Sequence, residues 1–191
     1  MLIKFWAKQR RVCHSSKGTL SSYSILLLVI NFLQQLTPPI LPVLDPSTGK
    51  SISDPQQAQE TNGNPNDMSL AECFYHFFNF YALGKYSTAP KPFDLDSHVC
   101  SVRTGGVFLK RKRWEEPQFG HLISIEDPLE MDHECGRNIQ ATTVLHLCHE
   151  LERPLCLMRR CRLGSHAVEG EAVMSPEQLG QALFQVATES R

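Results

Sequence analysis

The sequence predicts an α+β fold, mainly helical, with a small β-hairpin and short strands, and three observations carry that prediction. Leu20 to Leu36 is apolar nearly all round, as in a helix buried on every side. Ser69-Leu70-Ala71-Glu72 is a capping-box sequence followed by aromatic residues at helical spacing. Gly105-Gly106 separates two short valine-bearing runs, which reads as a tight hairpin.

Residues 2–12 fit a first helix, with Ile3, Trp6 and Ala7 on one side and Lys4, Lys8 and Arg11 at i, i+4, i+7 on another. Gly18 ends a turn, and the second helix runs from about Leu20 to Leu36, where Thr37-Pro38-Pro39 stops it. From Asp45 to Asp67 the residues are mostly Ser, Gln, Asn, Gly and Pro, too little apolar surface to offset the entropy of ordering, so a disordered insert is expected over 45–67. A third helix starts after Ser69 and passes through Cys73, Phe74, Phe77, Phe78 and Tyr81, with Gly84 as its terminator. Residues 98–103 and 107–113 form the hairpin, and a short strand from His121 to Ile125 leads into a turn at Glu126-Asp127-Pro128. Asp127, Pro128 and Glu130 make a helix-start signature, so a fourth helix is expected over about Asp132–Leu151, ending before Pro154. Ser175-Pro176-Glu177 opens a last helix near 176–188.

At 191 residues the chain is long enough for one ordinary domain, or a domain plus an insert, with a real core. A net charge of −1 argues against coating nucleic acid by bulk charge, yet residues 1–44 hold Lys4, Lys8, Arg10, Arg11 and Lys17 with no acid, so any anion-binding surface is local. Seven cysteines without regular pairing fit reduced thiols. The expected compartment is cytoplasmic, with nuclear or mitochondrial placement left open. Cys135, His146, Cys148, His149, Cys156 and Cys161 are metal-ligand types, but no C-x-x-C or H-x-x-x-H spacing orders them, and no metal site is expected. The apolar run Ile25–Leu33 is far short of the roughly 20 residues that span a bilayer, and no cleavage site follows it, so no membrane role is expected.

Several residues could carry chemistry, each with a plainer alternative. Lys4 and Lys8 stand one helical turn apart, where two ammonium groups repel unless an anion lies between them; they could equally form a solvated basic face. Ser22 and Tyr23 open the buried helix, where unpaired amides and the helix dipole favour an anion and the ring offers a stacking face, or they are a cap and a half-buried core tyrosine. His133, just inside a helix after an acid-rich turn, could be a cap, a surface residue or a partner for a pyrimidine edge, with Asp127 and Glu130 orienting it or the Ser22–Tyr23 helix, or simply capping the chain locally. Asp94-Leu95-Asp96 resembles a two-metal carboxylate pair, but it follows Pro90 and Pro92 in loop-like sequence, with no Gly-Ser turn and helix before it. Phe74, Tyr75, Phe77, Phe78, Phe80 and Tyr81 fit core packing better than base stacking. Lys110-Arg111-Lys112-Arg113 could touch RNA phosphates or be a solvated edge.

Order and spacing together say more. Leu2-Ile3-Lys4-x-Trp6-Ala7-Lys8, Gly18-Thr19-Leu20-Ser21-Ser22-Tyr23, Pro38-Pro39-x-Leu41-Pro42-x-Leu44, Phe77-Phe78-x-Phe80-Tyr81, Ile125-Glu126-Asp127-Pro128 and Gly136-Arg137 occur in that sequence. This set resembles the central and poly(A)-polymerase-associated regions of RNA terminal uridylyltransferases and poly(A) polymerases, within the polymerase β-like nucleotidyltransferase superfamily. The resemblance covers residues 1–45 and about 68–150. It implies a helical segment over 1–44, the insert 45–67, a nucleotide-recognition region over 68–152 and a C-terminal extension over 153–191.

By that resemblance, Lys4, Lys8 and Ser22 contact the phosphates of a nucleoside triphosphate and Tyr23 stacks on its base. Asp127 lies in the nucleotide-recognition loop with Glu130 close by, and His133 takes the position where a histidine favours uracil over adenine. The implied substrates are UTP and an RNA 3′ end. The implied reaction is attack of the RNA 3′-hydroxyl on the α-phosphate, at Mg²⁺ or Mn²⁺ ions held by three carboxylates. No residue of this chain matches those carboxylates, so the catalytic domain is expected upstream of Met1 and the chain alone is expected to bind nucleotide without performing the chemical step. Two other readings remain at this level: a noncatalytic scaffold that docks RNA or a protein, and a poly(A) polymerase that differs only in the base it selects.

Overall fold

A computed structural model describes residues 2–45, 47–51, 66–82, 93–94, 97–109, 122–162 and 174–187. The elements are α1 (Leu2–Gln9), a 3₁₀ turn (Ser15–Lys17), α2 (Ser22–Gln35), α3 (Leu70–Tyr81), β1 (His98–Ser101), β2 (Gly106–Leu109), β3 (Ser124–Ile125), α4 (Ala141–Arg162) and α5 (Pro176–Phe184). The strands form one sheet in the order β2-β1-β3, with β1 antiparallel to β2 and parallel to β3. The architecture is the mainly helical α+β fold that the sequence predicts. Among the described residues, no helix is long and apolar enough to cross a membrane.

Helix α2 is the centre of the molecule, in contact with α1, α3 and all three strands. Ser21 caps it, accepting a hydrogen bond from the Ser24 amide, and Ile25, Leu27, Leu28 and Phe32 are buried. Buried polar links fasten it to its neighbours: Asn31 donates to the Ser101 carbonyl on β1 at 3.2 Å, and the Tyr81 hydroxyl donates to the Leu28 carbonyl at 2.8 Å. Helix α3 starts with the expected capping box at Ser69 and Glu72 and buries Phe74, Phe77, Phe78 and Tyr81, with Phe78 edge-on to Trp6 at 4.7 Å between ring centroids. The aromatic cluster is therefore core.

Helix α1 is shorter than predicted because Arg11 adopts the left-handed conformation at φ 57°. The Arg11 amide bonds Lys8 and the Val12 amide bonds Ala7, which is the pattern of a Schellman motif with arginine in place of the usual glycine. The termination turns Arg10 inward. Its guanidinium makes a two-pronged pair with Glu150 of α4, at 2.7 and 2.8 Å, and donates to the Gln185 carbonyl after α5 at 2.6 Å. One buried cation thus ties three helical segments together.

Several expectations need correction. The fourth helix does not span Asp132–Leu151 but Ala141–Arg162, and it runs through Pro154. It starts late because the amides before it turn back: His133 bonds Glu130, Cys135 bonds Ile125 and Ile139 bonds Gly136. It survives Pro154 because Leu147, Leu151 and Leu155 continue one buried stripe across it, while Glu150 and Arg153 are held by Arg10 and the Ala182 carbonyl. At the start of the stretch expected as an insert over 45–67, Asp45 accepts hydrogen bonds from Ser47 and Thr48, and Leu44 bridges Ser51. The first strand ends at Ser101, before the turn at 102–105, and the last helix ends at Phe184, where the Gln185 amide turns back to the Ala182 carbonyl. Gly84, Lys110-Arg111-Lys112-Arg113 and residues 52–65 lie outside the described residues.

Removing one partner of the Arg10–Glu150 pair leaves the other charge buried, so Glu150→Ala is expected to cost about 3–5 kcal/mol of stability. Arg10→Met with Glu150→Leu should lose much less than the sum of the single changes. Chemical denaturation of the wild type, Arg10→Met, Glu150→Leu and the double variant measures the difference, and additive losses would show that the pair is not coupled.

Candidate functional site

Sequence and sheet together build a closed loop after β3. The Glu126 amide extends the parallel pairing by bonding the Cys100 carbonyl at 2.9 Å, and its buried carboxylate accepts from the Ser101 hydroxyl and from Arg103. The chain then leaves the sheet and returns. Asp127 N–H bonds the His133 carbonyl at 3.2 Å, Cys135 N–H bonds the Ile125 carbonyl at 2.8 Å, and Glu126 bridges Glu134 antiparallel. The Glu134 carboxylate closes the base of the loop by accepting from the Ile125 and Gly136 amides at 2.9 and 2.6 Å. A Cβ on Gly136 would sit 2.2 Å from the Ile123 carbonyl oxygen, so the close return admits only glycine.

Asp127 organises the interior of this loop. One carboxylate oxygen accepts from the Leu129 amide at 2.9 Å, the Glu130 amide at 3.3 Å and the Tyr23 hydroxyl at 3.3 Å. The other lies 3.2 Å from His133 Nδ1 and accepts from the Cys135 thiol at 3.7 Å. Burial works against the charge of Asp127, but the hydrogen bonds outweigh it and hold the carboxyl below its ordinary value. Burial, followed by the nearby Asp127 charge, raises the Tyr23 phenol. Burial with the charges of Asp127 and Glu134 pushes the Cys135 thiol up to about 12.

The predicted site residues divide into groups. Tyr23, Asp127 and His133 are brought together in one hydrogen-bonded chain. Glu130, exposed, shapes the loop through its amide and carbonyl. Ser22 is the first residue of α2, with its hydroxyl 3.4 Å from the Cys13 thiol, and Tyr23 beside it is 39% exposed, so its ring is accessible while its hydroxyl is tethered. Lys4 is half-buried and Lys8 exposed, one turn apart on α1, which packs against α2. His133 is not inside a helix as expected; it lies in the irregular return of the loop. Asp94 accepts from the Ser97 hydroxyl just before β1, and Leu95 and Asp96 lie outside the described residues.

Two residues that the sequence reading left without a role hold the site together. Ser24, one turn into α2, donates to the Cys135 carbonyl at 2.9 Å and so fastens the helix to the loop. Cys135 completes the polar group around Asp127. The available signal was its place two residues after His133, which on an extended return puts both side chains on one face.

A mainly helical domain whose small sheet ends in such a loop defines the poly(A)-polymerase-associated class. Residues 69–133 match the family described as Cid1 family poly A polymerase. Poly(A) RNA polymerase cid13 of Schizosaccharomyces pombe is 31% identical over 171 residues, covering 83% of this chain and 28% of its own length. Terminal uridylyltransferase cid1 of the same organism is 27% identical over 163 residues, covering 74% and 38%. A solved cytoplasmic RNA terminal U-transferase superposes with a TM-score of 0.71 at 24% identity, over 100% of this chain and 57% of that one. The chain belongs to the Cid1 family of poly(A) and poly(U) polymerases. It spans about a third of the length of the curated relatives it matches.

The lowered Asp127 carboxyl fixes a pH dependence. A folded pKa below the unfolded one contributes stability that is present above the unfolded value and lost as pH falls through the folded value. The stability gap between the wild type and Asp127→Asn should therefore be full above about pH 4, the ordinary carboxyl range, and close under more acidic conditions. Urea midpoints across pH read it; a gap that does not change with pH would refute the assignment.

Proposed function

We propose that this chain is the nucleotide-reading part of an RNA 3′-terminal uridylyltransferase, which transfers a uridylyl group from UTP to an RNA 3′ end. The observation that carries the reading is the hydrogen-bonded chain from Tyr23 through Asp127 to His133, which sets an accessible aromatic ring beside an anchored imidazole. A base stacked on Tyr23 gains about 1–3 kcal/mol. With Nδ1 of His133 turned to Asp127, Nε2 is left to meet the base edge. A polar mismatch at that point discriminates between bases better than apolar fit does. Lys4, Lys8 and Ser22 are assigned to the triphosphate, because the N-terminal amides of α2 favour an anion and an anion relieves the repulsion between the two lysines. Support also comes from similar proteins described as terminal uridylyltransferases and from the solved Cid1 complexes with the UTP analogue UMPNPP and the product ApU.

The Mg²⁺ or Mn²⁺ ions of such a reaction take oxygen ligands. Among the described residues, the only group of three or more metal-ligand side chains is Asp127, His133 and Cys135, which mixes oxygen, nitrogen and sulfur and does not suit them. The described residues of this chain are accordingly assigned to binding and base selection.

A second reading is ATP as the substrate, favoured by the similarity to poly(A) RNA polymerases cid11 and cid13, each over 83% of this chain. UTP and ATP incorporation at an RNA 3′ end, measured for the chain and for the same chain extended upstream through its gene, separates the two. UTP preference in the extended protein supports the first reading, ATP preference the second, and RNA binding without incorporation a scaffold. In the active protein His133→Asn should shift preference from UTP towards ATP; an unchanged ratio sinks the uracil assignment. Tyr23→Ala should raise the nucleotide KM roughly 5–150-fold, the equivalent of about 1–3 kcal/mol of lost stacking, while Tyr23→Phe keeps most of the binding.

A further inference from the structure

We propose that Asp127, His133 and Cys135 form a zinc-type divalent-cation site, with a fourth position left for solvent. The ligand atoms are Asp127 Oδ2, His133 Nδ1 and Cys135 Sγ, separated by 3.2 Å from carboxylate to imidazole, 3.7 Å from thiol to carboxylate and 3.9 Å from thiol to imidazole. Bonds of about 2.3 Å to sulfur and about 2.0–2.1 Å to nitrogen and oxygen place neighbouring ligands roughly 3.3–3.6 Å apart around a tetrahedral ion. The three atoms therefore need to move by only a few tenths of an ångström. Carboxylate, imidazole and thiolate together are the donor set of zinc or cobalt, not of magnesium or calcium.

The loop already holds these groups in place. The other oxygen of Asp127 is engaged by Leu129, Glu130 and Tyr23, which turns Oδ2 towards His133 and Cys135. Cys135 is fixed on both sides, its amide on Ile125 and its carbonyl on Ser24, and Gly136 after it is confined by the Ile123 carbonyl. Such outer contacts orient ligands before an ion arrives. On binding, the Cys135 thiol proton passes to solvent as sulfur takes the ion, and any proton on His133 Nδ1 does the same. An ion on Nδ1 leaves the imidazole hydrogen on Nε2, so that His133 meets a ligand only as a donor. That consequence rests on the proposed base-reading role, whereas the site itself does not.

Cobalt(II) titration of the 191-residue chain tests the site without any nucleotide. Wild type should give a near-ultraviolet thiolate-to-cobalt charge-transfer band that saturates at one ion per chain and is displaced by zinc. Cys135→Ser should abolish that band, His133→Ala should weaken binding at least tenfold, and Cys148→Ser, on α4, should change neither. Zinc should also raise the Tm of wild type and leave that of Cys135→Ser unmoved. No band in wild type, or a band that survives Cys135→Ser, overturns the proposal. Since UTP and RNA are absent, failure here leaves the uridylyltransferase reading untouched, and loss of that reading leaves the cation site standing.

Discussion

The Asp127 carboxylate is the point on which the site depends. The stretch from Asp127 to His133 lies in neither a helix nor a strand, and a polar loop of that kind is ordinarily the least stable part of a domain. Here one ionised group receives two loop amides, the hydroxyl of a helix residue and two side chains from the returning strand. Partial burial strengthens each of these bonds by lowering the local dielectric, and the same burial would penalise the charge if they were missing. The loop, the ring of Tyr23 and the imidazole of His133 thus share a single anchor.

That anchor is useful only because α2 is packed in place by its neighbours. A helix apolar on nearly every side is covered by α1, α3 and the sheet, which leaves its N-terminus as the end that reaches the site. Tyr23 and Ser24 point to the loop from consecutive positions, one through a side-chain acid and the other through a backbone carbonyl. The short sheet does the complementary task. Parallel pairing of Val99 with Ser124 and Cys100 with Ile125 delivers the chain to Asp127 in a set register.

The helical end of the molecule is organised by the opposite charge. Arg10 is turned inward by the left-handed residue after it, and its planar fork satisfies Glu150 while reaching the chain beyond α5. The pair braces α4 next to Pro154, where the backbone has lost a hydrogen bond, and the leucine stripe on both sides keeps the helix continuous.

By itself the sequence determined the helices that local chemistry dictates: the apolar run of α2, the capping box and aromatic spacing of α3, and the serine-proline start of α5. These are legible because their signals lie within a few residues of the structure they specify. The sequence also supplied the family, through ordered motifs, and named Tyr23, Asp127 and His133 as candidate site residues. Only the tertiary structure decided that Asp127 begins a closed loop instead of a helix, that α4 passes through Pro154, that Arg10 faces Glu150, and that Cys135 joins Asp127 and His133. Each of those outcomes depends on a contact that local sequence does not encode: an amide returned to Ile125, a stripe buried against other helices, a charge 140 residues away in sequence, and two side chains turned to one oxygen.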